Sequence, residues 1–393
     1  DVPFEAHTNQ HMQYWLPHWR ISQLCKLTLE NGVVGWGETI PNYTWSKVPD
    51  RIEERVEGKE AASLLWHDDL GAGVQMALFD AVGKTLGVPI YHLLGEKVRD
   101  WSPISWWAMD MPAEDWARQC AMAVEQGYMS AKLKARTWFD LHAALAAIFE
   151  VVPEQFLLDL DFNATLGNAS NAVHFLKTLE QYDQVAMIET PIPHEAVAGN
   201  AHIRRRINRP LAMHYGIPPI LTTLEHDLAD GFVICAGATA VRNHAHVCDV
   251  ANKPFWIQMV GTGITTSWAA HWGAVSRQAV WPAITCMNIY ESQLLTKPIE
   301  IRGGFQPVPE GPGLGVEIDM NAVERYRVDY TFIETPRHIY RYARADGEVT
   351  YYGDDKQALH DIFPKDAQPI CELGANMVPV GDDGSGTFAH LFE

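Results

Sequence analysis

Phe156-Leu-Leu-Asp-Leu-Asp161, Val185-Ala-Met-Ile-Glu189 and Pro210-Leu-Ala-Met-His214 are three short apolar runs, each closed by a side chain able to carry charge. The closing residues stand 28 and 25 positions apart, the length of one βα unit. Apolar runs of this length fit parallel strands covered on both faces. In a (β/α)8 barrel the carboxyl ends of successive strands open on one mouth, so Asp161, Glu189 and His214 are expected around a shared site, with a metal as its natural occupant.

Working outward, the same alternation continues in both directions. Strands are expected at Ile104 to Met109, Ser130 to Lys134, Gly231 to Cys235, Phe255 to Met259 and Ala283 to Met287, which brings the count to eight. Helical spacing lies between them, from Ala113 toward Gly127, from Phe139 to Val151, around His244 to Ala251 and over Thr266 to Ala279. The eighth helix is poorly marked, because Lys297-Pro298 and Gly303-Gly304 interrupt the pattern. Upstream, Leu24 to Leu29, the turn pair Asn31-Gly32 and Val33 to Glu38 read as a hairpin. A helical stripe of Val74, Ala77, Leu78, Ala81 and Val82 follows, so the first hundred residues form an α+β domain. The expected division is residues 1–100 for this domain, 101–306 for the barrel, and 307–393 for a return segment plus a C-terminal extension. A second hairpin signal, Tyr340 to Arg344 with Asp346-Gly347 and Val349 to Tyr352, lies in that extension and carries no chemical reading.

A chain of 393 residues exceeds one ordinary core, which suits a barrel with a companion domain. The 30 basic residues against 49 acidic ones leave a net charge of −19, which argues against nucleic acid or an anionic membrane and favours a small solute. No apolar run approaches the roughly 18 residues of a membrane span, and Asp1 opens without a basic-then-apolar leader, so a cytoplasmic protein is expected. Six cysteines without C-x-x-C spacing fit the thiols of a reducing compartment.

Lys132 and Lys134 lie two apart on the second expected strand and therefore face the same side. Two neighbouring ammonium groups near a divalent ion depress each other's pKa, which is how a lysine becomes a usable base near neutral pH. Taken alone, such a pair is more often a surface feature; its place before the acidic strand ends gives it weight.

Lys132-Leu-Lys134, Asp161-Phe-Asn163 and Ile188-Glu-Thr-Pro191, in this order and spacing, resemble the enolase superfamily, in its mandelate racemase and muconate lactonizing branch. Gly35-Trp-Gly-Glu38, the helix Ala77 to Ile90 and Leu93-Leu-Gly95 extend the likeness, which spans about Leu24 to Gly315. The resemblance implies an α/β fold, a modified TIM (β/α)8 barrel under an α+β N-terminal capping domain, with the C-terminal β-rich tail as an addition. It implies a divalent metal, usually Mg2+, a small-molecule carboxylate substrate and a homo-oligomer. The shared half-reaction is removal of a proton α to a carboxylate, with the metal holding the enediolate. Carried over residue by residue, Asp161 and Glu189 are ligands and Lys134 is the base. Lys132 steadies the substrate carboxylate or lowers the pKa of Lys134, and Asn163 supports the ligand shell by hydrogen bonding.

The departures from the pattern are informative. Where the family has a third acidic ligand, this chain has His214, which binds a metal such as Mn2+ or another transition metal, binds through a water, acts as an acid, or is a core histidine. The sixth and seventh strands end in Ile234-Cys235-Ala236 and Gln258-Met259-Val260, with no strong base to oppose Lys134, which disfavours racemisation. Tyr14, Trp15, His18, Trp19, Arg20, Tyr43 and Trp45 are candidates for the capping surface that selects substrate. Three readings follow. The first is a metal-dependent lyase dehydrating a sugar acid, the second a cycloisomerase of an unsaturated or lactone-forming acid, and the third a catalytically inactive binding homologue.

Overall fold

Close contact between two glycines and a helix fixes the N-terminal hairpin. Strand Gln23–Thr28 pairs antiparallel with Val34–Thr39, with Leu24 opposite Glu38. On its inner face a Cβ at Gly35 would lie 2.1 Å from the Ala77 carbonyl oxygen, and one at Gly37 would lie 2.0 Å from that of Gly73. Only glycine lets the hairpin lie this close to helix Ala72–Leu86, and that is the physical content of the Gly-Trp-Gly motif. Asn31 Oδ1 accepts the Val33 N–H, and Gly32 sits at φ +82°, as the turn requires.

The computed structural model describes residues 1–41, 43, 47–354, 359 and 370–392. They form two compact units. One comprises Asp1–Ala6, His18–Ser105 and Val233–Ile333; the other comprises His7–Pro17, Trp106–Phe232 and the chain from Glu334 onward. No helix among the described residues is long and apolar enough to cross a membrane.

The barrel strands are Trp106–Ala108, Ser130–Leu133, Leu157–Asp161, Val185–Glu189, Leu211–His214, Gly231–Ile234 and Phe255–Ile257, hydrogen-bonded in sequential order in one seven-stranded sheet. Helices Ala113–Glu125, Leu141–Phe149, Ala169–Leu179, Val197–Arg206, Ile220–Glu225, Ala238–Ala251 and Gly263–Val275 alternate with them. The eighth rung is reduced to parallel bridges, Ile284 with Gln258 and Ala283 with Ile104. No α-helix follows it before Met320–Tyr326, so the weak eighth-helix signal marks a real gap. The fold is a modified (β/α)8 barrel with an N-terminal capping domain.

In the second unit the C-terminal chain adds a three-stranded antiparallel sheet. Strand His338–Ala343 pairs with Val349–Tyr352 on one side, with Gly347 at φ +89° in the turn, and with Asn376–Gly381 on the other. The hairpin agrees with its sequence signal. The third strand carries Pro379 and closes the sheet without any such signal.

Candidate active site

A one-residue irregularity brings the two carboxylates together. Leu158 pairs with Val185, but Asp159 pairs with Met187, so Ala186 is an extra residue in the fourth strand. Without this bulge Asp161 would stand opposite Ile188; with it Asp161 stands opposite Glu189, and both side chains project from the same face. Hydrogen bonds carry the pairing past the strand ends, from Phe162 N to Glu189 O, from Ala164 N to Thr190 O and from Thr190 N to Ala212 O. Asn163, Ala164 and Thr190 all adopt positive φ, 44°, 69° and 44°. For the β-branched Thr190 this is strained, and strain of this kind gathers at functional sites.

The second strand delivers the cations. Lys132 stands opposite Asp159, and its ammonium contacts Glu189 Oε2 and lies 3.5 Å from Asp161 Oδ2. The Glu189 contact is a buried ion pair. Lys134 Nζ donates to Asp161 Oδ2 at 2.6 Å and to Asn163 Oδ1 at 3.0 Å. The lysines differ in access: the Lys132 side chain is 1% exposed and that of Lys134 16%, so only Lys134 can meet a solute. Burial opposes the charge of Lys132, but the Glu189 and Asp161 carboxylates outweigh it and hold its pKa above the ordinary lysine value. Burial likewise opposes the charge of Asp161, yet Lys134, Lys132 and Arg136 together keep its pKa below the usual carboxylate range. Asp159 is pushed the other way, by burial and then by Glu189.

Two groups that the sequence reading passed over complete this basin. Arg136, buried, donates from Nε to Asp110 Oδ2 at 3.0 Å, from Nη1 to the Asp161 carbonyl at 3.0 Å and from Nη2 to Asn163 Oδ1 at 2.9 Å. Its signal was present: it continues the Lys132, Lys134 alternation, and Asp110 follows the first strand as Asp161 closes the third. On the other side His214 Nε2 lies 3.3 Å from Glu189 Oε1, and the His214 ring meets that of His194 edge-on at 5.5 Å. His194 Nε2 is 3.3 Å from Thr190 Oγ1, and burial, then His214, lowers its pKa.

A family model described as "Enolase C-terminal domain-like" matches residues 115–322, more than half of the chain, and includes both lysines, both carboxylates and His214. The chain belongs to the enolase superfamily, in its mandelate racemase/muconate lactonizing enzyme branch. Among curated relatives of this superfamily member, the N-succinyl-L-Arg/Lys racemase of Bacillus cereus is 23% identical over 347 residues, 78% of this chain and 90% of the relative. The D-galactonate dehydratase of Variovorax paradoxus is 25% identical over 358 residues, 79% and 92% of the two chains. A solved structure of a mandelate racemase/muconate lactonizing family protein from Azoarcus sp. EbN1 superposes with a TM-score of 0.66 at 23% identity, covering 83% of this chain and 95% of that one. Racemases, cycloisomerases and sugar-acid dehydratases all occur among the relatives, and this protein is an enzyme of lyase or isomerase type.

Enolase-superfamily enzymes generally use a divalent metal and act on small carboxylates. The residues here fit such an ion in part. Glu189 and Asp161 are fully buried carboxylates standing side by side, the donor type a hard divalent cation prefers, with the Lys132 ammonium between them. Magnesium commonly takes one or two protein carboxylates and fills its shell with water and substrate oxygens. No three His, Cys, Asp or Glu side chains among the described residues surround one point, so the expected Asp161, Glu189, His214 set is not preassembled. One cause is visible: lysine ammonium groups crowd Asp161 Oδ2 and Glu189 Oε2, while His214 meets Glu189 alone.

The remaining candidates make contacts within their own units. The Tyr14 ring packs on His338 at 5.0 Å and that of Trp15 on Tyr340 at 4.7 Å, against the C-terminal sheet. In the other unit Tyr43 OH accepts from Gln258 Nε2 at 2.8 Å and its ring meets Trp19 at 4.6 Å, which places Tyr43 at the end of the seventh strand. His18 lies in a short 3-10 turn, Pro17–Arg20, and Arg20 pairs with Asp1 at 2.9 Å. Trp45 lies outside the described residues.

Proposed function

We propose that this enzyme is a metal-dependent lyase that removes the proton α to a carboxylate and expels a β-hydroxyl, dehydrating a sugar acid. The observation that carries this reading is the placement of Lys134. It is the accessible one of two lysines, held at 2.6 Å from Asp161 and 3.0 Å from Asn163, with an imidazole across the basin at Glu189. Lys134 takes the α-proton. His214, whose side chain is 31% exposed, gives a proton to the departing hydroxyl. Asp161 and Glu189 would hold a divalent ion, usually magnesium in this superfamily, which supplies positive charge to the carboxylate as negative charge develops on it. Lys132 neutralises the buried acids. Of the relatives, the Variovorax paradoxus protein is named a dehydratase. Racemisation needs a second base; the sixth and seventh strands end without lysine, aspartate or histidine, and burial pushes the Cys235 thiol up to about 11.

The test is incubation of the protein with a panel of hexonates and aldarates, with magnesium and then with manganese. Formation of a 2-keto acid supports the proposal. Lactone exchange or an ultraviolet change with muconate-type acids, and no keto acid, would favour cycloisomerisation instead.

A further inference from the structure

The C-terminal sheet lies beyond residues 115–322, the stretch shared with the family, yet it reaches the loop that follows the Lys134 strand. Four hydrogen bonds join them within the second unit. Cys371 N donates to the Thr137 carbonyl at 2.8 Å, and Asp140 N donates to the Ala375 carbonyl at 3.0 Å. Gly374 N donates to Asp140 Oδ2 at 2.7 Å, and Cys371 Sγ lies 3.8 Å from the Arg136 carbonyl. The gripping turn is itself held in shape. Arg344 donates from Nε and Nη2 to the two oxygens of Glu372 at 2.9 and 3.1 Å, and Asn376–Gly381 is zipped to His338–Ala343. Gly374 sits at φ +77°, with space for a Cβ only 2.7 Å from that of Ala345.

At the other end of the gripped loop is Arg136. Its guanidinium and the Lys134 ammonium share one acceptor, Asn163 Oδ1, at 2.9 and 3.0 Å. An amide oxygen held by a buried guanidinium is a fixed reference point for the amine beside it. The guanidinium is in turn anchored on Asp110 and on the Asp161 carbonyl.

We propose that the C-terminal extension is an active-site brace. The turn 371–376 clamps the loop 135–140 so that Arg136, a positioning residue, holds Asn163 and through it Lys134 in the geometry for proton abstraction. The clamp itself is independent of the reaction; its effect on turnover rests on the reading of Lys134 as the base.

Asp140→Asn tests the clamp with little damage to the barrel. Asp140 also caps helix Leu141–Phe149 by accepting from Ala143 N with Oδ1, a role asparagine can keep, whereas an amide facing Gly374 N–H loses the acceptor on Oδ2. Hydrogen exchange by mass spectrometry on the whole protein is expected to quicken about tenfold in 370–376 and also in 134–140. Faster exchange in 370–376 alone would overturn the brace. On a substrate that the wild type turns over, Asp140→Asn is expected to lower kcat roughly 10- to 100-fold with KM little changed, and Arg136→Met to do the same. The double variant should lose no more than either single one, because both act through one guanidinium; additive losses would overturn the proposal. Arg136→Lys should recover part of the lost kcat. A wild type inactive on every acid tried would count against the lyase reading only, and the exchange experiment would still decide on the brace.

Discussion

In the proposed elimination Lys134 and His214 serve opposite halves, so replacing them separates the halves. With Lys134→Ala, solvent-deuterium exchange at the α-carbon is expected to fall at least about 100-fold, while magnesium binding measured by calorimetry persists. With His214→Asn, α-deuterium exchange is expected to continue while keto-acid formation falls about 100-fold; loss of metal binding instead would make His214 a ligand. Lys132, Lys134, Asp161 and Glu189 were legible in the sequence because strand alternation puts residues of one parity on one face. Arg136 has that parity too, but the expected strand ends at Lys134, two residues short of it. Asp110 directly follows the expected strand Ile104 to Met109, but no family motif singles it out. The bulge at Ala186 leaves no mark in composition at all, since alanine there is compatible with either register.

At the scale of elements, the motif acid Glu38 turns out to hold a helix. It is buried, and it accepts from the backbone N–H and hydroxyl of both Thr262 and Thr265, at the start of helix Gly263–Val275, and from Ser22 Oγ. Burial pushes its pKa up, and the hydrogen bonds oppose that shift. Glu38→Ala leaves buried donors unmet and is expected to cost roughly 3 kcal/mol in urea unfolding, with Glu38→Gln costing less. The sequence showed this residue as part of a family signature without its partner, because the helix it caps begins more than 200 residues later. Two of the aromatic candidates have partners that the sequence hid for a similar reason. Tyr14 and Trp15 looked like loop residues in search of a ligand, whereas helix Ala6–Trp15 turns them onto a sheet whose third strand had no sequence signal.

For the molecule as a whole, pH enters through His271. It is fully buried in the first unit beside the Leu314 carbonyl at 3.2 Å, and burial lowers its pKa from 6.5 to about 4. An unfolded chain binds a proton at this histidine below pH 6.5, while the folded one stays neutral until about 4. Stability from this group is therefore complete above pH 6.5 and falls as the pH drops toward 4, by roughly 3 kcal/mol. Chemical denaturation across that range should show the slope, and His271→Gln should flatten it. The division into units has a consequence for synthesis. Chain order and unit order do not coincide: the polypeptide switches unit at residues 6, 17, 105, 232 and 333. A ribosome must therefore have emitted more than 330 residues before the first unit possesses all its parts, and no single nick can release either one whole.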